Sequence, residues 1–348
     1  MKCSRLFAFA TLIVQCALAS AQQPISFADI KGVQVGNAQD DVAKTGLTVL
    51  WFPNKAMGGV DISGGGPASR ETPVIDPERA DTPVDACVLA GGSAYGLGAA
   101  NGVMECLEEH GIGYNVGVAK VPIVVQSDIF DLSYGSAKVR PDIAMGRKAT
   151  EQALQGTYPI SGNVGGGTGA TVGKMAGMRQ AQKAGIGYAA FQVGDVQVGA
   201  VVVVNAVGDV YEKSVKIAGS MNPERTRFLD GMKVVFRELN RDGSPVQKAM
   251  SEGARTNTTI GAIVTNANFT KAQLKKIASM ARNGFARAIN PVGTQGDGDT
   301  IYAFSVDKEV KSDVNLVGAL AAEAMEAAII DAVKSAQIPD EEYLKNVR

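Results

Sequence analysis

The chain has 348 residues, with 34 Lys and Arg against 35 Asp and Glu and a formal net charge of −1. It therefore lacks the basic excess that phosphate backbones demand, and nucleic acid is not an expected partner. With 45% hydrophobic and 20% charged residues the composition is globular, and its single histidine leaves zinc almost no nitrogen ligands, so neither a metal nor another cofactor is expected.

At the N-terminus, Met-Lys-Cys-Ser-Arg is followed by an apolar run from Leu6 to Leu18 and by Ala19-Ser20-Ala21. This is the order of a charged region, a hydrophobic region and an A-x-A cleavage site, so residues 1–21 read as a secretory signal and the mature chain as a periplasmic or secreted protein. The run is too short to span a bilayer, and no membrane association is expected once it is removed. Cys16 follows Gln15 where a lipid-attachment site wants a small residue, which disfavours a lipoprotein. Cys3 and Cys16 would leave with the signal. Cys87 in DACVLA and Cys106 in VMECLE lie in apolar contexts and read as two buried thiols in preference to a bridge.

Along the mature chain, ISFADIKGVQVGNAQDD and TGLTVLWFP read as opening strands, the second ending at Pro53. GGVDISGGGPASRETP is a glycine-rich loop. VDACVLAGGSAYGLGAANGVMECLEEHG gives a buried strand, a small-residue turn and a helix closing at His110 and Gly111, where an imidazole faces the last carbonyls favourably. A structural His110 excludes Ser-His-Asp and Cys-His nucleophile systems. VAKVPIVVQSDIFDL is strand-like by its Val and Ile content, and RPDIAMGRKATEQALQG has helical spacing. VQVGAVVVVNAVGDVY is a nearly continuous apolar strand, the pattern of a strand covered on both faces. Residues from Glu212 to Thr256 are charged and turn-rich and read as a surface connection. TTIGAIVTNA is a strand, Thr270 the N-cap of the helix KAQLKKIASMARNGFARAI, and the chain ends with the loop GTQGDGD, the strand TIYAFSV and a long Ala-rich helix. Strands and helices alternate without a repeat or a dividing linker, which predicts one α/β domain over residues 22–348.

Four features carry possible chemistry. Glycine is 41 of 348 residues, above the ordinary share of about 7%, and is densest in SGNVGGGTGATVGKM. That segment is not a P-loop, because Thr168 and Met175 stand where glycine and Ser or Thr are required. Its glycines could let backbone amides approach a reacting carbonyl beside Lys174, or they form a loop with a solvated lysine. Asn205 ends the buried run of valines and either caps a turn or donates to an oxyanion, since an unpaired buried amide costs about 1–3 kcal/mol. Asp297 and Asp299, two apart, either point at one place or belong to a plain turn. At Asn257-Thr258 a polar stretch meets a strand. A cut there would free an α-amine with a reference pKa of about 7.7–8.0 on the same residue as a hydroxyl nucleophile, a pair that needs no histidine.

GGGPASRET, LAGGSAYGL, VVVVNAVGDV, NTTIGAIVTNA and DGDTIYAF resemble separated segments of the DmpA-type aminopeptidase family, which includes L-aminopeptidase/D-esterases, β-aminopeptidases and nylon-oligomer hydrolases. The resemblance implies a four-layer αββα sandwich of the DmpA/ornithine-acetyltransferase-like type. It also implies autocatalytic cleavage between Asn257 and Thr258 into chains of 22–257 and 258–348, and an oligomer of the processed heterodimers. By position it assigns Thr258 as nucleophile, with Lys174, Asn205, Asp297 and Asp299 around it, and short peptides or peptide-like amides as substrates. An acyltransferase of the ornithine-acetyltransferase type and a non-catalytic periplasmic ligand-binding protein are the competing expectations. The family's tyrosine in an IYD-like segment is replaced here by Phe130, so either Tyr134 compensates or the oxyanion site differs.

Overall fold

A computed structural model describes residues 22–240 and 257–348. The segment read as a secretory signal, and residues 241–256 of the expected surface connection, lie outside them. Ten strands form one sheet: β1 (Gln23–Ile25), β2 (Gln34–Asp40), β3 (Thr45–Ile62), β4 (Ser69–Arg70), β5 (Val84–Ala90), β6 (Val124–Asp128), β7 (Ile186–Val193), β8 (Val196–Asn205), β9 (Thr258–Ala267) and β10 (Thr300–Val310). Their order is β1-β7-β8-β9-β10-β3-β5-β6-β4, with β2 paired to β3. Among the described residues the α-helices are α1 (Ala99–Glu109), α2 (Ile143–Leu154), α3 (Gly231–Leu239), α4 (Lys271–Ala288), α5 (Val314–Lys334) and α6 (Asp340–Asn346).

The sheet folds on itself at β3. Residues 45–51 of that strand pair with β2 and β5, residues 57–62 pair with β10, and the register to β5 shifts between Trp51 and Ala56. Pro53 does not end the strand as the sequence predicts. It is exposed in the interval between the two sets of pairings, where a missing N–H breaks no ladder.

Each half of the folded sheet is covered by helices on its outer face, and the inner faces meet. Val198, Ala200, Val202 and Val204 of β8 pack with α4 and α5, whereas Val201 and Val203 face Leu50, Phe52 and Phe304 between the two halves. One strand thus feeds two cores by strict alternation, which is why its sequence is apolar at nearly every position. A third core joins Leu47, Val49, Ala86 and Val88 to α1 and α2. Three apolar layers separate four structural ones, giving the expected αββα sandwich. Two helices connect parallel neighbours, α1 between β5 and β6 and α4 between β9 and β10.

Local signals act as expected at several ends. Thr270 caps α4 with a reciprocal Gln273 bond, and His110 caps α1 with Nδ1 2.8 Å from the Cys106 carbonyl oxygen. Cys87 and Cys106 are both free and buried; Cys87 faces the inter-sheet core, and Cys106 is carried on α1 at the outer face.

Glycines set the closest approaches of helix to sheet. A Cβ on Gly187 of β7 would lie 2.1 Å from the Ala328 carbonyl oxygen and 2.3 Å from the Ala332 nitrogen of α5, whereas one on Gly98 would meet nothing within 4 Å. Gly187→Ala is therefore expected to destabilise the fold by about 1–3 kcal/mol through overpacking. Gly98→Ala, in a right-handed helical conformation (φ −65°, ψ −21°), is expected to be neutral or to stabilise by up to about 1 kcal/mol. Denaturant midpoints of the two variants check the contrast.

Candidate active site

The strand register assembles the site. Antiparallel pairing of β8 with β9 sets Asn205 opposite Thr258. Because β9 and β10 run parallel, with Ile260 beside Thr300, the loop entering β10 is delivered to the same end of the sheet. A parallel bridge between Asn257 and Asp297 continues the ladder past the strand ends. Thr258, Asn205, Asp297 and Asp299 are all buried.

The Thr258 hydroxyl lies 2.5 Å from the Asn257 carbonyl oxygen and donates to it. The same oxygen accepts the Gly298 N–H at 2.9 Å. Asp299 holds the strand start, its Oδ1 accepting Thr259 N–H at 2.6 Å and its Oδ2 accepting Gly293 N–H at 2.9 Å. Asp297 turns into its own loop and accepts the Thr294 N–H at 2.8 Å and hydroxyl at 2.6 Å. Burial raises both carboxyls, and the charge of Asp297 raises Asp299 further. The two acids are thus neighbours, but each is first a clamp on backbone.

Lys174 reaches the site across Asn205. Its Nζ donates to the Asn205 carbonyl oxygen at 2.9 Å and to Oδ1 at 2.8 Å. Burial lowers its pKa to about 7, against the opposing pull of Asp297, Asp131 and Asp299. A neutral lysine has two N–H groups, both of which Asn205 can accept, leaving a lone pair at near-neutral pH.

Asn205 is fixed in orientation by its partners. Oδ1 accepts from Thr171 N–H at 3.1 Å as well as from Lys174, so the amide nitrogen faces the Phe130 carbonyl oxygen, to which it donates at 2.8 Å. One amide hydrogen is therefore already engaged. The position that lacks a phenol, Phe130, takes part through its backbone.

The glycine-rich segment has a role other than the one its density suggests. The N–H groups of Gly165, Gly166 and Gly167 donate to Gln39 Oε1, Thr48 Oγ1 and the Val164 carbonyl oxygen. They do not wait for a reacting carbonyl. A Cβ at Gly166 or Gly167 would strike the Leu89 carbonyl oxygen at 2.5 Å or the Ile186 nitrogen at 2.2 Å, so these glycines admit the loop between strands. The loop that does face the site is 63–66, whose amides donate to the carbonyl oxygens of Thr294, Asp297 and Asp299.

A cavity of ≈ 190 Å³ opens beside Lys174, lined by Phe130, Asp131, Ser133, Tyr134, Thr171 and Met178. Tyr134 is stacked on Tyr343 of α6 with ring centroids 5.3 Å apart. Its hydroxyl, close to Asn346, makes no hydrogen bond of good geometry, and burial pushes its pKa up to about 12. Three groups emerge that sequence reasoning passed over. Asp131 accepts Thr45 Oγ1 at 2.6 Å and Gly92 N–H at 2.8 Å. Lys183 is buried and donates to the carbonyl oxygens of Gly167, Ala170 and Ala184. Gly298 contributes only backbone. A lysine opening an apolar strand in QKAGIGYAAF was the one visible signal for Lys183; nothing local marked the others.

Similarity to known proteins bears on the family and the fold. The sequence matches the model of peptidase family S58 over residues 26–341. It is 36% identical to an uncharacterized aminopeptidase of Mycobacterium leprae, covering 90% of this chain and 91% of that one. It is 32% identical to the 6-aminohexanoate-oligomer endohydrolase of Kocuria sp., covering 88% and 85%. Among solved structures, the L-aminopeptidase D-Ala-esterase/amidase of Ochrobactrum anthropi, described as a variant of the Ntn hydrolase fold, aligns with a TM-score of 0.65 at 20% identity over 92% of each chain. A β-aminopeptidase of Burkholderia sp. aligns with a TM-score of 0.59 at 21% identity, covering 94% and 95%. The chain has the αββα architecture of these N-terminal-nucleophile hydrolases and belongs to peptidase family S58, the DmpA-type aminopeptidases and amidases.

Proposed function

We propose that the chain cleaves itself between Asn257 and Thr258 and that Thr258 is then the nucleophile for hydrolysis of short peptides or peptide-like amides. The observation that carries this reading is the Thr258 hydroxyl held 2.5 Å from the oxygen of the carbonyl it would attack. The hydroxyl is thus buried beside that carbonyl, and this proximity saves part of the entropy of bringing the two groups together. Lys174, with its pKa lowered to about 7, is the group suited to move the hydroxyl proton before an α-amine exists. After the cut, the Thr258 amine takes over as base, Asn205 and Asp299 hold the strand end, and water releases the acyl-enzyme. The cavity beside Lys174 receives the substrate. Export through residues 1–21 and assembly of several processed heterodimers complete the proposal; the first rests on the sequence pattern and the second on the family resemblance.

Purified protein is expected to run on denaturing electrophoresis as two fragments, the smaller beginning Thr-Thr-Ile on Edman sequencing. Thr258→Ala is expected to run as one uncut chain without amidase activity, and Thr258→Ser to cut more slowly than wild type. A single wild-type band would overturn self-processing.

The pH dependence follows from the direction of the Lys174 shift. Burial lowers the pKa, so the neutral amine gains population as pH rises through about 7. The first-order cleavage rate of freshly folded precursor should rise over that interval and level off above it. Lys174→Met is expected to cut slower by about 10²-fold or more, the usual scale for losing a general base, and to lose this limb of the profile. A stopped time course of precursor decay at pH 5 to 9 measures both effects.

A further inference from the structure

We propose that the main-chain N–H of Gly298 is the oxyanion donor of this site, first for self-cleavage and then for turnover. The inference rests on reading Asn257-Thr258 as the cleaved junction, and it puts the Gly298 amide in the role for which the sequence offered Asn205 and the amides of the glycine-rich segment. In the uncut chain the Asn257 carbonyl oxygen accepts Gly298 N–H at 2.9 Å. Asn257 and Thr258 are both buried. A donor aimed at a carbonyl oxygen away from water gains strength as negative charge develops there.

The peptide that carries this N–H is held from both sides. The Asp297 carbonyl oxygen accepts Gly66 N–H at 2.9 Å, and the Asp299 carbonyl oxygen accepts Ser63 and Gly64 N–H, both at 3.1 Å. The side chains of Asp297 and Asp299 bind Thr294, Gly293 and Thr259. Gly298 is thus clamped between two acids whose hydrogen bonds fix its plane. This gives the pair a positioning role that needs neither acid to touch substrate.

Glycine is required for space as well. A Cβ at position 298 would stand 2.8 Å from Thr258 Oγ1 and 2.9 Å from the Gly66 carbonyl oxygen. The competing donors are wholly or partly engaged: Asn205 gives one of its two amide hydrogens to the Phe130 carbonyl oxygen, and the N–H groups of residues 165–167 all donate elsewhere.

In self-cleavage Thr258 Oγ bonds to the Asn257 carbonyl carbon as its proton passes to the Lys174 amine, which later returns it to the Thr258 nitrogen, and the C=O electron pair moves to the oxygen facing Gly298 N–H. Collapse breaks the bond to the Thr258 nitrogen, which receives a proton, leaving an Asn257 ester on Oγ. Water then cleaves the ester, giving the Asn257 carboxylate and restoring the hydroxyl. In turnover the carbonyl of the substrate takes the position that Asn257 vacates, and the same N–H faces its oxygen.

The test replaces Gly298 with glycolic acid in the full chain, exchanging one N–H for an oxygen without adding a side chain. Precursor cleavage is expected to slow by about 10²–10³-fold, the usual effect of losing one oxyanion donor. Processed material should lose kcat to a similar extent with KM little changed and the melting temperature near wild type. A glycolate chain that cuts at the wild-type rate overturns the proposal, whereas a wild-type chain that never cuts overturns the junction reading instead. Amide exchange in the uncut Thr258→Val chain gives an answer independent of the glycolate protein's folding. The Gly298 amide proton is expected to be protected, and free exchange there would overturn the assignment.

Discussion

The parallel pairing of β9 with β10 is the constraint on which the site depends. Parallel neighbours begin at the same edge of a sheet, so Thr258 and the loop bearing Asp297, Gly298 and Asp299 meet although about forty positions separate them. An antiparallel hairpin would have sent that loop to the far end. The crossover through α4 makes the parallel arrangement possible, and its capping box at Thr270 and Gln273 starts that helix directly after the strand. On the other side, antiparallel β8 ends where β9 begins, which brings Asn205 and, through it, Lys174. Two pairings of opposite sense therefore converge on one residue.

That convergence buries several ionisable groups, and their partners explain why the fold can tolerate them. Lys183 spends its donors on three backbone carbonyls, and Asp131 accepts from a hydroxyl and an N–H. Lys174 and Asp299 are also hydrogen-bonded, yet burial moves each toward its neutral form, the lysine down and the acid up. Each group is thereby brought near the balance between its two protonation states at ordinary pH, which a surface ion pair in water is not.

What could be read in the sequence follows from what each residue type can be asked to do. The run VVVVN admits one interpretation because a strand between two apolar layers must be apolar at consecutive positions, and its single polar residue must find partners. The lone histidine, seated at a helix end, removed whole classes of hydrolase. Lys174, Asn205, Asp297 and Asp299 each had a plain alternative on its own residue pattern; the family resemblance grouped them around Thr258, and the fold shows that they share a location. The glycines misled for a physical reason: lack of a Cβ serves close strand packing at Gly166 and approach to a nucleophile at Gly298 equally well, and the sequence is silent on which. Gly298 acts through an N–H that every residue except proline possesses, so no composition or spacing could mark it.

A cut at Asn257-Thr258 would sever the chain at the centre of its own sheet, which raises the question of what holds the pieces together. β9 lies between β8 and β10, and β10 pairs with β3, so the smaller fragment would supply the middle of the larger one's sheet. Its helices α4 and α5 cover Val198, Val202 and Val204 of β8 and complete that core. Separation would expose two strand edges and a full apolar layer, far more than the loss of one peptide bond releases. The position of the junction at a strand's first residue also leaves the ladder from Thr258 onward intact. The new amine would therefore appear at a place already fixed by the register, with Asp299 still holding the next residue's N–H. A cut there would turn one buried peptide nitrogen into an amine while leaving the strand ladder that positions it in place.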